Sequence, residues 1–170
     1  RARHDRPHIT MKIAMSLDGC IAMASGESQW ITGKQARAGV QYWRGRSGAI
    51  ITGIETILAD DCRLNFRPEA MSKKHQKLWQ AGTENQPLRV VVDSQLRLPL
   101  DASLLQTGGA VWVVCAVANE GKVAALKARG VEVLQLPDAD GHVDLKGLLA
   151  KLGEAEINEV LVETGATLAG

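Results

Sequence analysis

The chain has 170 residues, 45% of them apolar, which is enough for one domain with a sizeable core. With 20 basic and 19 acidic residues it has no net field to draw nucleic acid or an anionic membrane, so any anion site has to be built locally. No apolar run approaches the roughly 20 residues that cross a bilayer, and the start does not read as a signal sequence, so a cytoplasmic protein is expected.

Residues 1–7 read as a polar linker with solvated charges. Residues 9–15 have an apolar strand pattern that runs into Ser16-Leu17-Asp18-Gly19, then into a second small-residue turn at Ser25-Gly26 that ends on Trp30. Hydroxyls and glycines at a strand end let a ligand approach the backbone, and tryptophan offers a flat apolar wall; ordinary surface loops share this composition. Residues 34–46 place Ala36, Val40 and Trp43 at helical spacing, and 48–53 form the next strand. The polar insert 68–87, with a short helical pattern over 71–79, is expected outside the sheet.

Near-continuous apolar strands follow at 89–93 and 111–115, then an amphipathic helix over 120–129 closed by Gly130. A strand at 131–136, a helix at 145–152 closed by Gly153, and a strand at 159–162 complete the pattern. Strands apolar on both faces and separated by helices predict an α/β fold with a mostly parallel sheet covered on two sides.

Several residues stand out chemically. Glu163 ends an apolar strand, where a carboxylate is costly to bury without a partner. The order Glu163-Thr164-Gly165-Ala166-Thr167 is that of a strand, small-residue turn and helix, in which backbone N–H groups receive a phosphate, although it lacks a full Gly-x-Gly-x-x-Gly. Asp60 and Asp61 form a pair in which like-charge repulsion can raise one pKa; such pairs also occur as plain helix ends. Arg44 alone reads as a solvated helix residue, and Lys12 as a strand-edge lysine facing solvent. Cys20, Cys62 and Cys115 are odd in number and far apart, and His4, His8, His75 and His142 are scattered, so neither a disulfide framework nor a metal site is expected.

Three stretches, 16–32, 56–67 and 160–170, carry a resemblance. Residues 56–67 read Thr-x-Leu-Ala-Asp-Asp-x-x-Leu-x-x-Arg; upstream are Ser16-Leu17-Asp18-Gly19 and the run Ser25 to Thr32, and the chain ends in Val-Leu-Val-Glu-Thr-Gly-Ala-Thr-Leu-Ala-Gly over 160–170. In this order and spacing they resemble the reductase half of the bifunctional riboflavin-biosynthesis deaminase/reductases. The resemblance implies a dihydrofolate-reductase-like fold over 8–170 and NADPH-dependent reduction of the ribose of 5-amino-6-(5-phosphoribosylamino)uracil to a ribityl chain. It implies NADPH contacts at Ala14, Trp30, Thr56, Asp60, Ser94, Gly165, Ala166, Thr167, Leu168, Ala169 and Gly170, with Arg97 beside Ser94 available to a 2′-phosphate.

For the substrate it implies Ser28, Arg44, the Leu64 backbone, Arg67 and Glu163, with Lys12 as a further candidate and Asp60 handling a proton. No His-x-Glu with paired cysteines is present, so the zinc deaminase half is expected as a partner domain outside this chain, the linker 1–7 being its junction. The family continues beyond the equivalent of Gly170, so the chain is expected to be truncated there; a homodimer is a further expectation. The competing readings are a related reductase of another pterin or pyrimidine precursor, and a nucleotide-binding module without turnover.

Overall fold

The computed structural model describes residues 6–25, 31–79 and 86–170. The strands are β1 (His8–Lys12), β2 (Ala49–Gly53), β3 (Leu88–Val92), β4 (Val111–Cys115), β5 (Val131–Gln135) and β6 (Glu159–Glu163). The helices are α1 (Lys34–Arg46), α2 (Ile54–Asp60), α3 (Lys73–Leu78), α4 (Glu120–Lys127), α5 (Leu145–Glu154) and the single turn α6 (Ala166–Ala169). All ladders are parallel, in the order β1-β6-β2-β3-β4-β5. This is the dihydrofolate-reductase-like arrangement expected from the sequence.

Strand alternation sends successive side chains to opposite faces, and both faces are covered. Ile50, Val91, Val113 and Leu161 pack with Ile54 and Ile57 of α2 and Leu126 of α4. Ile51, Val90, Val114, Val160 and Val162 pack on the other face with Val143 and with Leu148 and Leu152 of α5. Local chemistry sets the helix ends. Asn119 and Asp144 cap α4 and α5 by accepting the N–H groups of Lys122 and Lys146. Left-handed Asp61 (φ 43°) ends α2.

The described part of the polar insert lies outside the sheet, as expected: Ser72 caps α3, and Trp79 packs on Phe66 with ring centroids 5.0 Å apart. Gly45 is needed here, because a Cβ on it would fall 2.8 Å from the Phe66 ring.

Three local expectations are corrected. The strand expected at 9–15 ends at Lys12, because its neighbour β6 ends in register at Glu163 and offers nothing further to pair with; the chain then turns through Ser16 and Gly19. Gly153 does not close α5. The helix runs on to Glu154, and the reversal falls on Glu156 (φ 60°), with Ile157 N–H reaching back to Leu152 O. Trp43 does not mark the buried side of α1: it is exposed beneath the Arg46 guanidinium, and Gln41 is the buried residue of that helix.

Arg89, in a strand that reads as apolar, is 0% exposed. Among the described residues no carboxylate lies against it. Its guanidinium donates instead to the carbonyls of Leu104, Thr107, Gly108 and Gly109, and to Arg63 O at 3.5 Å. Desolvation pushes its pKa down.

Candidate active site at the carboxyl ends of the strands

From β2 to β5 each strand is laid on the same side of its predecessor; the chain then crosses back to place β6 between β1 and β2. Such a reversal opens a crevice beyond the carboxyl ends of the strands, where open α/β sheets bind ligands. Among the described residues, a cavity of about 550 Å3 and another of about 400 Å3 lie there.

The larger cavity is bounded by β1, α1, β6 and the loop 62–67, and it gathers Lys12, Arg44, Leu64, Arg67 and Glu163. Lys12 and Glu163 are brought side by side by the β1–β6 register. Glu163 is buried, but it is not without a partner. Arg44 approaches from α1 and donates through Nε to Oε1 at 2.6 Å and through Nη2 to Oε2 at 3.0 Å, while its Nη1 donates to Asn65 O. The partner that a buried carboxylate requires is thus supplied within the chain, where a two-pronged guanidinium offsets its desolvation. Lys34, Arg37 and Arg63 also line this cavity. Sequence reasoning missed them, because isolated helix and loop cations look solvated.

The loop that supplies Leu64 and Arg67 is held from several sides. Leu64 has φ 51°, a left-handed conformation unusual for a branched-chain residue. Gln41 accepts the Arg67 N–H, and the Gln86 amide pairs with both the N–H and the C=O of Phe66, as a neighbouring strand would.

Within the acidic pair the two residues part. Asp61 turns away to accept the N–H and hydroxyl of Ser103, which holds its carboxyl below the usual range; the raised pKa that repulsion would give is not found there. Asp60, the expected proton-handling residue, lines neither cavity, although its charge is felt at the nearby Cys62 thiol. Burial, followed by Glu163 and Asp60, pushes that thiol up to about 11. Because the thiolate is the nucleophile, iodoacetamide at neutral pH is expected to label exposed Cys20 well before Cys62 or buried Cys115, as peptide mass mapping will read. Equal labelling of Cys62 would contradict its environment.

The second cavity brings together Gly53, Thr56, Ser94, Gly165, Thr167 and Leu168, together with Arg97 and His142. Ala14, Ala169 and Gly170 line neither cavity, whereas Ser28 and Trp30, and the Ala166 side chain, lie outside what is described. Arg97 is engaged: its Nη2 donates to Glu55 at 2.5 Å, and its Nε lies 3.8 Å from the buried Asp93. A turn tied by Asp138, which accepts the His142 N–H, presents His142; nothing in its sequence context distinguishes it.

An all-parallel α/β sheet of this order, with an Arg–Glu cavity and a hydroxyl-lined cavity at one end of its strands, defines the dihydrofolate-reductase-like class of domain. Residues 7–170 match the model of the RibD C-terminal domain, and the chain belongs to that family. It is 43% identical over 166 residues to the riboflavin biosynthesis protein RibD of Actinobacillus pleuropneumoniae, covering 96% of this chain and 40% of that protein. It is 32% identical over 148 residues to the 5-amino-6-(5-phosphoribosylamino)uracil reductase of Buchnera aphidicola, covering 87% of this chain and 70% of that one. Among solved structures, Acinetobacter baumannii RibD superposes with a TM-score of 0.79 at 42% identity, over 97% of this chain and 42% of that one. The chain thus spans about two fifths of the RibD proteins it matches.

Proposed function

We propose that this chain is the reductase domain that converts the ribose of 5-amino-6-(5-phosphoribosylamino)uracil to a ribityl side chain, with NADPH as cofactor. The observation that carries this reading is the first cavity, in which a buried carboxylate, Glu163, sits among Lys12, Arg44 and Arg67 on an otherwise neutral chain. A phosphorylated sugar needs that combination: cations for the phosphate and a carboxylate that accepts from hydroxyls. The name of the Buchnera aphidicola relative supports the choice of ribotide.

The second cavity has donors that fit an adenine dinucleotide. Thr56, Ser94 and Thr167 supply hydroxyls, Gly53 and Gly165 leave the backbone open, and Arg97 can meet a 2′-phosphate. When bound, the nicotinamide supplies the hydride. Arg67 and Arg44 hold the phosphate, Glu163 and Lys12 orient the sugar hydroxyls, and the Leu64 backbone closes the wall. The carbon reduced is C1′ of the ring-opened sugar, and the balancing proton goes to the adjacent nitrogen from water, since Asp60 lines neither cavity. The zinc deaminase of the same pathway is assigned to a separate domain of the same polypeptide, operating in the cytoplasm.

Incubation of the protein with the ribotide and NADPH should oxidise the cofactor and yield a product two hydrogens heavier by mass spectrometry. Binding of both ligands without turnover would instead favour the nucleotide-binding module. Gly165→Val tests the second cavity. Among the described residues a Cβ there meets only the Ile21 side chain, at 3.9 Å, so the domain should fold with an unchanged melting temperature. The branched side chain fills space that the cofactor needs, and NADPH affinity measured by calorimetry should fall about tenfold or more. Undiminished affinity would move the cofactor site elsewhere.

A further inference from the structure

We propose that Arg44 is a positioning residue for Glu163, and so acts on the sugar end of the substrate in addition to any charge it lends the phosphate. The inference rests on the reading of the first cavity as the ribotide site. Three donor groups of Arg44 are already committed: Nε and Nη2 grip the two oxygens of Glu163, and Nη1 holds Asn65 O at 3.0 Å. Both side chains of the pair are 11% exposed, so little water competes for either. A carboxylate with one torsion free can rotate; one held at both oxygens by a planar fork cannot, and its remaining lone pairs point in fixed directions.

The elements that carry the pair explain why such a brace is needed. Glu163 is the last residue of β6, beyond which the ladders with β1 and β2 give no further support. Arg44 stands in the last turn of α1, and its third contact ties the same guanidinium to the loop that carries Leu64 and Arg67. One side chain therefore sets the carboxylate relative to the loop cation. Arg67 belongs to a different arrangement: its backbone N–H is held by Gln41, and no bond to Glu163 joins the two.

The test compares the ribotide with its phosphate-free analogue, 5-amino-6-ribosylaminouracil, in the protein as it occurs. Arg67→Ala should raise KM for the ribotide and leave the analogue unaffected. Arg44→Ala should lower kcat on both substrates about tenfold or more, because the misaligned carboxylate acts at the sugar, which both share. The double variant Arg44→Ala with Glu163→Gln should be no slower than Glu163→Gln alone, since the arginine acts through the glutamate. Should Arg44→Ala fail to fold, Arg44→Lys keeps the charge without the fork, and should still lower kcat on the analogue. The proposal is overturned if the Arg44 variant is impaired on the ribotide only, or if the two losses multiply in the double variant. A wild-type protein that reduces neither substrate would instead remove the functional reading beneath it.

Discussion

Arg89→Met should cost roughly 3–5 kcal/mol of folding stability, a large part of the 5–15 kcal/mol that holds an ordinary domain together. The guanidinium is completely buried and donates to four carbonyls between Leu104 and Gly109 and to a fifth at Arg63. Methionine fills much of the volume but donates nothing, so several buried carbonyls lose their partner at once, each at about 1–3 kcal/mol before neighbouring groups relax. Urea unfolding followed by circular dichroism will read the loss, and a change under about 1 kcal/mol would show that water replaces the guanidinium freely. The loop 103–109 should open first, with fast amide exchange at Leu105, whose N–H is bonded only locally, to Ala102 O.

Arg67→Ala should raise the KM for the ribotide roughly ten- to hundredfold, the kinetic equivalent of losing a charge-assisted contact of about 1.5–3 kcal/mol. The side chain lines the larger cavity, while its backbone is held by Gln41 whatever the side chain is, so the loop should keep its shape. With the phosphate remote from the reduced carbon, kcat should change little. NADPH affinity should also hold, because Thr56, Ser94, Gly165, Thr167 and Leu168, assigned to the cofactor, line the other cavity. Equal losses for ribotide and cofactor in steady-state kinetics and calorimetry would count against assigning Arg67 to the phosphate.

Much of the sheet was legible because its strands are buried on both faces. Runs such as Ala49-Ile50-Ile51, Val90-Val91 and Val113-Val114-Cys115 have no polar alternation to confuse them with a solvated strand. Helix ends were less so: Gly153 looks like a stop, yet the stop is Glu156, because a hydrogen bond from Ile157 to Leu152 holds a non-glycine residue in the left-handed region. The acidic pair was ambiguous for a related reason. Asp61 is drawn away by Ser103, 42 residues on, and that contact leaves no trace around residue 61.

By itself the sequence determined the class of fold, the order of its elements, and the chemical kinds of residue clustered at the strand ends, since burial periodicity and short motifs are local properties. Tertiary structure alone decided that β6 enters between β1 and β2, that Arg44 meets Glu163 across 119 residues, and that Arg89 turns its charge into a loop of carbonyls. Those outcomes depend on contacts between distant segments. A lone arginine on a helix or in a strand has the same local signature whether it ends in water, on a carboxylate or among carbonyls, and only packing chooses between them.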